Sequence, residues 1–220
     1  MTDRDLMPDN EDEAEGEGRW RRILLSGGAL LGVAAAYNAF ARKGVDQLTN
    51  LIGGEEGGFE WRDRRVAFTK RGSGPPILLI HGIHAAAWSY EWRNNVDALA
   101  KTNTVYTIDL LGFGMSERPA IRYSARLYIS LISDFVSRVI DEPTVLVASS
   151  LSGAYAIVLA ARDPHRFPAV ALIAPSGLVR LNEPVGIGGE AGRLAVDTPI
   201  AGTAMFNAIV SRPQLSRYLK

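Results

Sequence analysis

Four short, largely apolar runs most constrain what this chain can fold into: "PPILLI" (75–80), "TVYTID" (104–109), "TVLVAS" (144–149) and "AVALIA" (169–174). A strand with one wet face alternates apolar and polar residues. Runs of this length without alternation suit parallel strands covered on both faces. Between them lie segments with helical spacing: about 87–101, "SARLYISLISDFVSRVI" (124–140), and "LSGAYAIVLAARDP" (151–164), which Pro164 stops. Strands alternating with helices predict an α/β domain, a mostly parallel sheet flanked by helices. Ahead of the first run, "FEWRDRRVAFTKRG" (59–72) alternates around a turn and predicts a β-hairpin.

The chain of 220 residues is long enough for one such domain. Net charge is zero but unevenly spread. Residues 1–18 hold eight acids and one base, leaving 23 bases against 16 acids in the remainder. That mild excess forms no basic stripe with interleaved aromatics, so no nucleic-acid partner is expected. The absence of cysteine removes disulfides, thiolate metal sites and a cysteine nucleophile. His81, His84 and His165 lack the spacing of a zinc site, and no metal is expected.

Residues 1–18 predict an acidic disordered tail. Residues 19–43 predict a transmembrane helix. Ile23 to Ala41 carry no charge and are bracketed by Arg19, Arg21, Arg22 and by Arg42, Lys43. Nineteen helical residues span about 28 Å, close to the hydrocarbon core of a bilayer. "AFA" (39–41) offers a rival reading as a signal-peptide cleavage site, against which the acidic tail speaks; a buried or surface helix is the third. The expected localisation is therefore the membrane, through residues 23–41, with the side left open. Residues 44–57, rich in Gly and Glu, predict a linker, and 58–176 the folded core.

Three pieces at the ends of successive strands carry chemistry: "HGIH" (81–84), "DLLGFGMSERP" (109–119) and "ASSLSG" (148–153). The last opens a helix. A serine exposed in a tight strand-to-helix turn needs small residues two before and two after it. Ser150 satisfies this with Ala148 and Ser152, and Ser152 satisfies it with Ser150 and Ala154. Strand length favours Ser150, because "TVLV" runs straight into Ala148 and a turn at Ser152 would bury Ser149 and Ser150 in the strand. A plain reading, in which the serines only cap the helix, stands beside both.

In this order the pieces resemble the α/β-hydrolase fold family, in its serine-nucleophile, esterase- and lipase-like branch, from about Phe59 onward. The third piece is similar to the nucleophile elbow G-x-S-x-G, with both glycines replaced, by Ala148 and Ser152. The resemblance implies that Ser150 is the nucleophile and that the backbone N–H groups of Ile83 and Leu151 form the oxyanion hole. It implies structural roles for His81 and for Asp109, which ties down its own loop. Trp88, Tyr90 and Trp92 are read as helix packing rather than pocket lining.

The family's triad continues with an acid and then a histidine on later loops. No histidine follows His165 here. Residues 177–220 predict the start of a helical cap. The expectation is an incomplete α/β-hydrolase fold, C-terminally truncated, whose acid and base lie beyond Lys220 and which is inactive alone. The function implied is a serine hydrolase of the carboxylic ester type. It would act on a small-molecule acyl substrate, lipid-like esters included, with no cofactor. The alternatives are a non-catalytic membrane-tethered binding module, a cofactor-free haloperoxidase, a C–C hydrolase or an acyltransferase.

Overall fold

The computed structural model describes residues 28–39, 48–178, 198, 200 and 202–204. The chain divides into two units, Met1–Asp46 with Glu183–Lys220, and Gln47–Asn182. The first contains helix α1 (28–39), whose Leu30 and Val33 are exposed, and a helical turn at 202–204. Twelve residues make about 18 Å of helix. Among the described residues no helix is long and apolar enough to cross a membrane. The predicted acidic tail, the rest of the 23–41 run and most of the predicted cap lie outside the described residues.

In the second unit, strands β1 (Glu55–Glu60), β2 (Arg65–Arg71), β3 (Pro76–Ile80), β4 (Thr104–Ile108), β5 (Val145–Ser149) and β6 (Val170–Ile173) form one sheet. Its order is β1-β2-β4-β3-β5-β6. The hairpin strand β2 joins β4 antiparallel, while β4, β3, β5 and β6 are mutually parallel. All five residues of β3 are buried. Leu78 and Ile80 enter the core on one face, with Leu131, Phe135 and Leu146; Ile77 and Leu79 enter the core on the other, with Trp92 and Val96. Each such Leu or Ile contributes about 1.5–3 kcal/mol, which is why the strand carries no alternation.

Helix α3 (Ala125–Phe135) buries Tyr128, Leu131, Ile132 and Phe135, one face at helical spacing. Ser124 caps it by accepting from Leu127 N–H at 3.2 Å. The helix ends in a π turn, Val136–Ile140. Trp61 Nε1 donates to Asp134 Oδ2 at 2.7 Å and fastens the hairpin to this helix. Helix α4 (Ser152–Arg162) packs beside it through Tyr155, Ala156 and Leu159.

Two boundaries differ from expectation. Strand β1 starts at Glu55, inside the expected linker, because its backbone pairs with β2 and the Phe68 ring covers the space a Gly57 side chain would fill. The helix expected over 87–101 is broken into a 3₁₀ turn (Ser89–Trp92) and one turn of helix, α2 (Val96–Leu99). Ser89 N–H is captured by Asp109 Oδ1 at 2.7 Å, and Asn94 and Asn95 are poor helix formers.

The loops at the C-terminal ends of β3 and β4 are wired together. The fully buried His81 meets Gly82 O through Nδ1 at 2.7 Å and accepts Leu110 N–H on Nε2 at 3.0 Å. The Asp109 carboxylate accepts Ser89 N–H and, at 2.8 Å, Met115 N–H. Burial holds the His81 ring below its ordinary pKa of 6.5, against the weaker opposing pull of the Gly82 carbonyl, Asp109 and Glu91. The unfolded chain gains a proton as pH falls through about 6.5, whereas the folded ring resists it, so protonation favours unfolding. The stabilisation is complete above that pH and declines below it. Thermal melts from pH 7.5 to 5.5 are expected to show this decline. His81→Asn should flatten that part of it, while losing about 1–3 kcal/mol at every pH because Leu110 N–H is orphaned.

Strand β6 is the sheet edge among the described residues, with Ile173 50% exposed on it. An apolar edge templates aggregation. The 220-residue chain should scatter light on refolding, and Ile173→Lys should reduce that scattering severalfold without lowering the melting temperature.

Candidate active site

Strand β5 ends at Ser149 and α4 begins at Ser152, so Ser150 and Leu151 alone make the turn. That brevity forces Ser150 to φ +51°, the left-handed region that costs a residue with a Cβ about 1–2 kcal/mol. Three backbone bonds hold it there. Ser150 N–H donates to Ile173 O at 2.9 Å, and Ser150 O accepts from Gly153 N–H at 3.0 Å and Ser176 N–H at 3.1 Å.

The three serines occupy three environments. Ser149 is buried in the strand. Ser152 is fully buried, and its Oγ donates to His81 O at 2.6 Å, tying the first turn of α4 to the end of β3. Ser150 stands at the tip of the turn, its Oγ 3.4 Å from Ser176 Oγ. The small residues around it have a use: a side chain on Gly153 would press on Leu172 and Pro175 at 3.2 Å.

The loop after β3 runs beside this tip, since a Cβ on Gly82 would lie 3.3 Å from Ser150 Cβ. Its backbone is set by Glu91, whose Oε2 accepts Gly82 N–H at 2.9 Å. Neither Ile83 N–H nor Leu151 N–H has an acceptor among the described residues. The second sits at the N-terminus of the eleven-residue α4, where helix dipoles add positive potential. A hydroxyl next to two unused N–H donors can attack a carbonyl and shelter the oxyanion that forms.

The histidines do not complete this arrangement. Both ring nitrogens of His81 are engaged in the loop wiring. His84 is exposed; its Cδ2 lies 3.7 Å from the Gly82 Cβ position, and no hydrogen bond joins it to Ser150. His165 sits beyond the far end of α4, roughly 16 Å of helix away. Both Asp109 oxygens are likewise engaged in loop wiring. Trp92 belongs to the core, and Trp88 stacks on Tyr90 at 5.3 Å. Among the described residues no cluster of His, Asp and Glu could hold a metal ion.

Sequence reasoning missed Glu91 and Ser176. Glu91 sits in "WSYEW", whose aromatics suggested packing, and Ser176 meets Ser150 only through the register of β6 on β5. No local signal marks either.

Known proteins place this arrangement. The chain is 37% identical over 119 residues to an uncharacterised protein of Mycobacterium tuberculosis, covering 53% of this chain and 33% of that one. It is 33% identical over 125 residues to the 2-hydroxy-6-oxo-6-(2'-aminophenyl)hexa-2,4-dienoic acid hydrolase of Metapseudomonas resinovorans, 56% of this chain and 41% of that one. The chain thus spans well under half the length of these curated relatives. Among solved structures, a bacterial membrane phospholipase A superposes with a TM-score of 0.57 at 23% identity, over 94% of this chain and 76% of that one, a likeness of fold. Residues 75–197 match the profile of the alpha/beta hydrolase fold, more than half of the sequence. With the strand order, the turn and the helix all in agreement, the chain belongs to the α/β-hydrolase fold family.

Proposed function

We propose that this chain carries the nucleophile and oxyanion hole of a serine hydrolase acting on an ester or related acyl bond of a small molecule. The observation that carries the reading is the Ser150 hydroxyl at a left-handed turn, beside two N–H groups with no acceptor among the described residues. Ser150 Oγ adds to the acyl carbon while its proton passes to a histidine. The carbonyl electrons move to oxygen, which Ile83 and Leu151 N–H hold. Collapse expels the alcohol, reprotonated by the same histidine, and leaves an acyl-serine. Water then repeats the steps and frees the acid. His81 is engaged in loop wiring, His84 makes no bond to Ser150 and His165 lies beyond the far end of α4, so the reading assigns none of these three histidines as that base.

Relatives named as hydrolases of a dienoic acid or a dienoate support a second reading with the same serine, hydrolysis of a carbon–carbon bond in a small organic acid. Product analysis separates the two: a carboxylate and an alcohol, or two carbon fragments. A membrane-tethered binding module without turnover is the rival class. The charge-free run 23–41 and the exposed Leu30 and Val33 support tethering to a membrane. The whole gene product should then resist carbonate extraction, and deletion of 19–43 should release it.

The chemistry is tested with a fluorophosphonate probe on the whole gene product. Labelling is expected to vanish in Ser150→Ala, with ester turnover down at least about a thousandfold. Ser152→Ala should remain labelled and melt at lower temperature, since His81 O loses its donor. Labelling that survives in Ser150→Ala and vanishes in Ser152→Ala would overturn the assignment. No labelling or turnover of any kind would favour the binding module.

A further inference from the structure

We infer that Ser176 is a positioning residue for the Ser150 hydroxyl, an inference that rests on the reading of Ser150 as nucleophile. After β6 the chain doubles back over the elbow. Ala174 takes φ +43° and Gly177 φ +75°, both in the left-handed region. A side chain on Gly177 would meet Leu151 Cδ1 at 2.7 Å, so this strap lies directly on the turn. Two backbone bonds lock the registration, Ser150 N–H to Ile173 O and Ser176 N–H to Ser150 O. They set the Ser176 Cα beside that of Ser150 whatever its side chain does. The hydroxyl is a separate addition, and among the described residues Ser176 Oγ is the one hydrogen-bond partner of Ser150 Oγ.

That pairing has a direction during reaction. At rest either hydroxyl can donate, and the 3.4 Å separation makes a weak bond. Once the Ser150 proton leaves for the base, Ser150 Oγ is an acceptor only, and Ser176 is the donor that faces it. Ser176 therefore holds the Ser150 hydroxyl in the rotamer from which attack occurs. Ser176 is exposed, so the site has room for an extra methyl group.

The test uses the whole gene product with Ser150→Ala, Ser176→Ala and Ser176→Thr. The readouts are the rate of fluorophosphonate labelling, kcat and KM on p-nitrophenyl butyrate, and the melting temperature. Ser176→Ala is expected to slow labelling and kcat about tenfold. KM and the melting temperature should stay unchanged, because the backbone clamp survives. Ser176→Thr, which keeps a hydroxyl, should return the rate to within about threefold of the parent. A parental rate in Ser176→Ala overturns the inference, as does a rise in KM alone, which would place the hydroxyl on substrate. Failure of Thr to restore the rate overturns it too. If Ser150→Ala labels normally, the nucleophile reading itself falls and takes the inference with it; if it does not, the two stand or fall separately.

Discussion

One constrained residue organises the C-terminal end of the sheet: Ser150, held at φ +51° between a strand and a helix with only Leu151 to help make the turn. A non-glycine residue resists that conformation by about 1–2 kcal/mol. Three backbone hydrogen bonds, each contributing about 1 kcal/mol net, outweigh the resistance. Two of them reach to β6 or to the strap beyond it. The turn therefore depends on the register of β6 against β5, and through β5 on the buried pair β3–β5 at the centre of the sheet. Strain at the tip is offset by ordinary packing and pairing below it.

The loops around the tip follow the same logic. Each uses a buried polar side chain as a tie rather than as a reagent. His81 joins the end of β3 to Leu110, Asp109 joins the end of β4 to Ser89 and Met115, and Ser152 joins α4 to His81 O. Once these ties are made, the Ile83 and Leu151 amides near Ser150 are still without an acceptor among the described residues. The buried residues that look most reactive in the sequence, His81 and Asp109, are engaged in architecture.

Much of this was legible from residue pattern. Continuous burial in "PILLI" follows from a run without alternation, and the small residues Ala148, Ser152 and Gly153 mark a turn too tight for larger ones. What escaped depends on contacts far apart in sequence. The stretch 87–101 has aromatic spacing that suits a helix, but Asp109, twenty residues on, takes the Ser89 amide and breaks it. Gly57 reads as linker until Phe68 covers it from the neighbouring strand. Ser176 has no local signature, because it reaches Ser150 across 26 residues through strand pairing.

The most direct measurement is a crystal structure of the whole gene product after reaction with a phosphonate ester. The phosphorus should be bonded to Ser150 Oγ, with one phosphoryl oxygen about 2.7–3.1 Å from both Ile83 N and Leu151 N. An adduct on another side chain, or a Ser150 adduct whose phosphoryl oxygen turns away from both amides, would contradict the account.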